Sequence, residues 1–272
     1  MRKVFSLTNK YIVLATPLIL YTLFSSVYLA VASSGGKILN LIFAFALFLL
    51  MTGAFIAGWF YMIKTAISEP EKEDPNSLFK EFFSGVGEYF LPSVGSIFVI
   101  LVISTLMLML SYTIGLQKIG DPGVSAEALS NALQNSSALK AFMLSLTKEQ
   151  LIKINLWNIL ILGTMTLNSF LFILYIPTLF YKNKNPFFAF FISLKDLFSK
   201  HILKTLGIFL LILVLNFIIS ILSTVFATNT IIHFSITLLN FYFIVLIGVG
   251  IFYYYYKTFI ENKIGQNIDI EV

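Results

Sequence analysis

The sequence predicts an all-α fold, a polytopic membrane bundle of six transmembrane helices with short interfacial amphipathic helices. Three observations predict it. Of 272 residues, 58% are hydrophobic and only 11% are charged, against roughly 25% charged in an average soluble domain. Six separate runs reach the roughly 20 apolar residues that a bilayer crossing needs. The basic residues are shared unequally between alternate loops, as orientation in a membrane requires. Mean hydropathy is +0.90, and no long stretch lacks a span, so residues 1–272 read as a single integral membrane domain.

The six runs are 11–33, 38–63, 94–115, 156–181, 206–227 and 231–256, and none holds Asp, Glu, Lys or Arg. The fifth is typical: 16 of its 22 residues are Leu, Ile, Val or Phe, which favours insertion by about 5–10 kcal/mol. The first run follows basic residues, and Ala30-Val31-Ala32 has the small-x-small pattern of a signal-peptidase site. Its apolar run is longer than the roughly 7–15 residues of a signal h-region, so it reads as a retained span. Pro17 and Pro177 read as helix kinks or ends.

With the N-terminus inside, thirteen of the eighteen basic residues fall on the inner side and five on the outer. Both termini then face the cytoplasm. Aromatic belts agree: Trp59 and Tyr61 close the second run, and Tyr253 to Tyr256, followed by Lys257, close the sixth.

Two inner loops carry amphipathic patterns. After an acidic, proline-broken linker from Ile67 to Pro75, with Asn76 as N-cap, apolar residues fall at helical spacing on one face. That face holds Phe79, Phe82, Phe83 and Phe90, and such a helix is expected to lie Phe side down in the membrane interface. Gly85 and Gly87 weaken it. The second loop repeats the plan. Asn185 caps, Pro186 takes the first helical position, and Phe187, Phe190, Phe191 and Phe198 follow. At an offset of 108 residues Phe82 meets Phe190, Phe83 meets Phe191, Glu88 meets Asp196 and Phe90 meets Phe198. With Arg2 to Lys10 as a shortened third copy, the chain reads as three repeated helical hairpins. Chance matching among 29 phenylalanines is the competing explanation.

The outer loop, 116–155, opens with a turn at Gly120-Asp121-Pro122-Gly123. Short helices are expected over 125–134 and 147–155, with Thr147 and Gln150 as a capping box. Leu151, Ile154 and Trp157 share a face leading into the fourth span.

Chemistry is sparse. With no cysteine there is no disulfide and no thiol chemistry. Arg2 is the single arginine, so a phosphate- or nucleic-acid-reading site is not expected. Uncharged spans argue against proton relays and ion paths. Asn168, Asn216 and Asn240 read as interhelical hydrogen-bonding groups. Ala54 with Gly58 permits close helix approach, and Gly248 with Gly250 either does the same or loosens the sixth span. His201 and His233 stand at span boundaries without a partner ligand. No H-E-x-x-H, G-x-S-x-G or P-loop pattern occurs. The expectation is therefore no catalytic residue, no metal, no cofactor and no enzymatic activity. The partners expected are membrane lipids, with a homo-oligomer or a membrane complex as further options and no nucleic acid.

Glu81-Phe82-Phe83-Ser84-Gly85-Val86-Gly87, followed by Ile97, resembles in spacing the E-A-A-x-x-x-G segment with which ABC-transporter permeases dock their ATPase. Both alanines are Phe here, and the trailing Leu-Pro is missing. The resemblance implies Glu81 and Gly87 as docking positions and a transporter or permease subunit as the alternative function. The layout of six spans, Phe-rich interfacial helices and an Asn-Pro-Phe-Phe start at Asn185 resembles bacterial inner-membrane families. These are the YciC-like proteins and the membrane domain attached to some glycerophosphodiester phosphodiesterases. That resemblance implies a non-catalytic, lipid- or envelope-associated membrane domain. The Lys-, Ile-, Asn- and Phe-rich, Arg-poor usage looks like that of an AT-rich bacterial genome.

Overall fold

The computed structural model describes residues 2–33, 38–69, 77–132 and 134–261. The linker after Glu69, the Asn76 cap, Lys37, Lys72 and Lys263 lie outside the described residues. All regular elements among the described residues are helical: α1 (Arg2–Lys10), a 3-10 turn (Ile12–Leu14), α2 (Ala15–Ser33), α3 (Ile38–Ser68), α4 (Ser77–Lys118), α5 (Ala126–Ala132), α6 (Ser136–Ser145), α7 (Lys148–Phe172), α8 (Tyr175–Tyr181), α9 (Pro186–Leu197), α10 (Ile202–Val225), α11 (Thr230–Tyr255) and a π turn (Tyr256–Glu261). Six stretches are long and apolar enough to cross a membrane. The chain has the architecture of a multi-pass membrane protein.

The chain divides into two compact units, Met1–Val99 with Leu171–Val272, and Ile100–Phe170. In the first, α2 and α3 form a hairpin. The Tyr21 and Thr52 hydroxyls meet at 2.8 Å, and Tyr28 donates to the Ala44 carbonyl at 2.8 Å. Trp59 of α3 donates to the Leu14 carbonyl at 2.8 Å, fixing the turn that precedes α2. A Cβ on Gly248 would stand 3.1 Å from Ile63 and 3.3 Å from Trp59, so α11 packs closely on α3 there. Phe60 and Phe252 stack at 5.2 Å. The buried side chains concentrate near one end of α3, α8 and α11: Trp59, Met62 and Ile63; Tyr175, Leu179 and Phe180; Val249, Phe252 and Tyr255. That end carries Lys64, Lys182 and Lys257 and is called the basic end below. Toward the other end the spans expose large apolar side chains, among them Phe24, Val27 and Val31 of α2 and Ile42, Phe43 and Phe45 of α3.

Local sequence explains the breaks. Pro177 has no N–H for the Ile173 carbonyl, so α7 ends at Phe172, and the helix resumes with Thr178 N–H on the Leu174 carbonyl at 3.1 Å. Asn185 caps α9 as expected, accepting from the N–H groups of Phe187 and Phe188, with Pro186 at the first turn. Asn229 caps α11 through Ile232 N–H at 3.1 Å. Pro17 sits in the first turn of α2, where its missing N–H costs no helical bond.

The stretch from Ser77 runs straight into the third span: it is the first third of α4, a 42-residue helix with Pro92 inside. At 1.5 Å per residue α4 is about 63 Å long, roughly twice the hydrocarbon thickness. Gly85 is also a contact, since a Cβ there would meet Tyr61 Cβ at 2.4 Å and the Ala57 carbonyl oxygen at 2.8 Å. A Cβ on Gly58 would likewise strike the Phe82 ring. Helix α1 lies along α11. A Cβ on Gly250 would be 3.7 Å from Val4, and the Tyr242 hydroxyl donates to Asn9 at 2.7 Å.

In the second unit the later part of α4 pairs with α7. Ser111 and Thr164 hydroxyls meet at 2.6 Å, and Asn168 donates to Ser104 at 2.8 Å. The Trp157 ring lies against Gly115 and donates to the Gly120 carbonyl at 3.0 Å. Gly120 and Gly123 both adopt positive φ, which makes the expected turn, and Asp121 accepts from Gly123 N–H. The capping box is present: Thr147 accepts from Gln150 N–H at 3.2 Å, and Gln150 accepts from Thr147 N–H at 3.0 Å. Helix α6, capped by Asn135, is an addition to the two expected loop helices.

Candidate functional site

The basic end of the first unit gathers the densest polar cluster. Tyr61 and Lys64 stand one helical turn apart on α3. The Lys64 ammonium donates to the Tyr89 hydroxyl at 3.1 Å, and Tyr89 donates onward to the Phe180 carbonyl at 3.1 Å. The Tyr89 ring stacks on Phe180 at 4.4 Å. Lys64 also faces the rings of Tyr61, Tyr89 and Tyr181 at 5.5, 5.3 and 6.0 Å, within cation–π range. It has no ion pair among the described residues.

The connection from α8 to α9 supplies two more lysines. Lys182 meets Asp196 of α9 at 2.6 Å, with both side chains less than one-fifth exposed. Tyr255 of α11 donates to the same Asp196 oxygen at 2.7 Å, and the Thr178 hydroxyl approaches Tyr255 Oη at 3.0 Å. Lys182 lies 5.3 Å from the rings of both Tyr255 and Phe259. Lys184 pairs with Glu88 at 2.8 Å in a more exposed setting and covers the Tyr89 ring at 5.0 Å. Each carboxylate here is engaged by an ammonium. The cluster ties the ends of α3, α4, α8, α9 and α11 together. His201, just before α10, is edge-on to Phe259 at 5.7 Å. Partial burial, and then the positive Lys200 and Lys204, hold its pKa below the ordinary imidazole value.

The expected interface phenylalanines separate into two groups. Phe83, Phe187, Phe191 and Phe198 are exposed, and so is Phe188, which the sequence reading passed over. Phe79, Phe82 and Phe90 are half-buried. Phe79, Phe82 and Phe83 border an apolar cleft of about 290 Å³ with Tyr21 and Phe24 of α2 and Phe55 of α3. Phe190 is a correction: it is 7% exposed and packs on Phe172 at 5.3 Å and edge-on to Tyr175 at 5.9 Å. It points inward because it follows Pro186 by one turn on the face that α9 presents to α8. Of the positions matched at an offset of 108, Phe83 and Phe191 are both exposed, and Glu88 and Asp196 each pair with a lysine of the α8–α9 connection.

Glu81 is half-buried and Gly87 faces open space, while Gly85 between them is pressed onto α3. Of the intraspan asparagines, Asn168 makes the expected interhelical bond, whereas the Asn216 and Asn240 side chains make none among the described residues. No group of three or more His, Asp or Glu side chains among the described residues stands close enough to hold a metal ion.

Comparison of the chain with protein-family models, curated proteins and solved structures finds no match in any of the three. In the sequence Lys64, Lys182 and Lys184 count only among the thirteen inner-side basic residues that set orientation. The signal in the sequence is the recurrence of tyrosine near the lysines of this end: Tyr61 before Lys64, Tyr181 before Lys182 and Tyr256 before Lys257.

Proposed function

We propose that this protein is a non-enzymatic, lipid-associated structural protein of a bacterial cytoplasmic membrane, with both termini and the basic end in the cytoplasm. The observation that carries this reading is the contrast within the first unit. Its packed core lies near the basic end, whereas much of the span surface beyond it is apolar and uncovered by protein. Only lipid or another apolar surface satisfies such helices. The lysine–aromatic cluster suits the headgroup layer, where tyrosine rings and ammonium groups anchor spans. The exposed Phe83, Phe187, Phe188, Phe191 and Phe198 suit shallow burial beside it.

The experiment is purification of the full chain in mild detergent, with co-purifying lipids and proteins identified by mass spectrometry. Retained phospholipid without a stoichiometric protein partner supports the proposal. A stoichiometric ATPase replaces it with the permease reading and makes the Glu81–Gly87 segment the docking surface. A chain that retains no lipid removes the lipid-associated part.

A further inference from the structure

A half-open groove of about 500 Å³ runs between α1, α10 and α11. That volume lies in the range of small-ligand sites, roughly 300–1,000 Å³. Ile208, Leu211 and Leu215 of α10 form one wall, Phe243 and Ile247 of α11 the other, and Val4 and Phe5 of α1 close one side. From Phe243 to Lys257 the groove follows α11 for about 20 Å, close to the ~15 Å depth of one leaflet's hydrocarbon. Its basic end is fixed by the Thr205–Tyr254 hydroxyl contact at 2.8 Å, which joins α10 to α11.

The charged residue lining this groove is basic. Helices α1, α10 and α11 contain no Asp or Glu. Lys257 lines the groove at its basic end. Lys204 stands one turn before Ile208 on the same face of α10. Helix α1 runs opposite to α11, because Val4 lies over Gly250 and Asn9 over Tyr242, so Arg2 and Lys3 point toward the Lys257 end. Among the described residues the carboxylate paired with Lys257 is Glu261, four residues on and partly exposed.

We propose that this groove holds an acyl chain of an anionic glycerophospholipid whose phosphate takes Lys257 from Glu261. The proposal deepens the lipid-associated reading above and rests on it. Gly250 gives the handle. A Cβ there meets only Val4, at ordinary contact distance, and Gly250 lines the groove.

The test uses the full chain in mild non-ionic detergent. Retention of dioleoyl-phosphatidylglycerol and dioleoyl-phosphatidylcholine is read by native mass spectrometry, beside inorganic phosphate alone. The wild type retains one phosphatidylglycerol in preference to phosphatidylcholine. One lysine at an anionic headgroup is worth about fivefold in affinity. Lys257→Gln therefore lowers the preference by about that factor, and Glu261→Gln raises it. A merely structural Lys257–Glu261 pair moves both substitutions in the same direction, and that result overturns the proposal. Gly250→Phe displaces the lipid, and Leu211→Trp does so from the facing wall should Gly250→Phe fail to fold. Equal retention of the two lipids overturns the headgroup assignment. A response to inorganic phosphate as strong as to lipid overturns the acyl-chain assignment. Co-purified lipid unchanged in both groove-filling variants overturns the groove while leaving the lipid-associated reading intact. Absence of any retained lipid in the wild type overturns both.

Discussion

Removing the Asp196 carboxylate is expected to be among the costliest single changes at the basic end. Asp196 and Lys182 are 13% and 16% exposed and 2.6 Å apart. Asp196→Ala leaves the Lys182 ammonium facing only the rings of Tyr255 and Phe259. Breaking such a pair from one side costs about 3–5 kcal/mol. Tyr255 also loses a charged acceptor at 2.7 Å, a bond of about 1.5–3 kcal/mol whose loss overlaps with the first. Asp196→Asn keeps an acceptor for Tyr255 and is expected to fall between the wild type and Asp196→Ala. The double substitution Lys182→Met with Asp196→Leu removes both charges and fills similar volume, so it should cost less than Asp196→Ala alone. The assay is equilibrium unfolding in mixed micelles, followed by far-ultraviolet circular dichroism. The reasoning is refuted if Asp196→Ala costs less than about 1 kcal/mol, or if the double variant costs the sum of its parts.

Other outcomes follow from named contacts. Gly85→Ala should destabilise by about 1–3 kcal/mol because its Cβ meets the Ala57 carbonyl and Tyr61. Gly87→Ala, two residues away in open space, should stabilise by about 0.5–1 kcal/mol through helix propensity; the same unfolding assay compares the two. Phe190→Ala should cost about 3–5 kcal/mol as a core deletion, whereas Phe191→Ala, 65% exposed, should leave stability in micelles nearly unchanged. His201 should titrate below the ordinary value near 6.5, since burial and then Lys200 and Lys204 disfavour its imidazolium. The unfolded chain binds that proton at higher pH, so acidification through the imidazole range favours unfolding. A nuclear magnetic resonance titration, with Lys204→Gln raising the midpoint, checks the sign.

The spans were legible because chain length and uncharged apolar runs respond directly to bilayer thickness, and each observed span overlaps its expected run. Caps were legible where one side chain meets a nearby N–H: Asn185 before Pro186, and Thr147 with Gln150. Long-range contacts were not. Gly85 read as a weak helix position because propensity is local, while its role depends on Ala57 and Tyr61 of another helix. Phe190 read as an interface residue because spacing assigns a face but does not say which neighbour covers it. Lys182 and Asp196 are fourteen residues apart, and their meeting depends on the Pro177 break and the Asn185 cap folding α8 and α9 together. The groove at Gly250 depends on α1 lying along α11, a placement that the basic, amphipathic Arg2–Lys10 segment does not specify.

The central claim is a membrane-spanning bundle whose lysine–aromatic end faces the cytoplasm. The chain has no cysteine, so single cysteines report without background. Lys200→Cys, at the basic end, and Asn229→Cys, in the connection between α10 and α11, would be labelled in intact cells with a membrane-impermeant maleimide. The account predicts labelling of Asn229→Cys from outside and of Lys200→Cys only after the membrane is opened. Labelling of Lys200→Cys in intact cells, with Asn229→Cys protected, contradicts the orientation; labelling of both from one side contradicts the spans themselves.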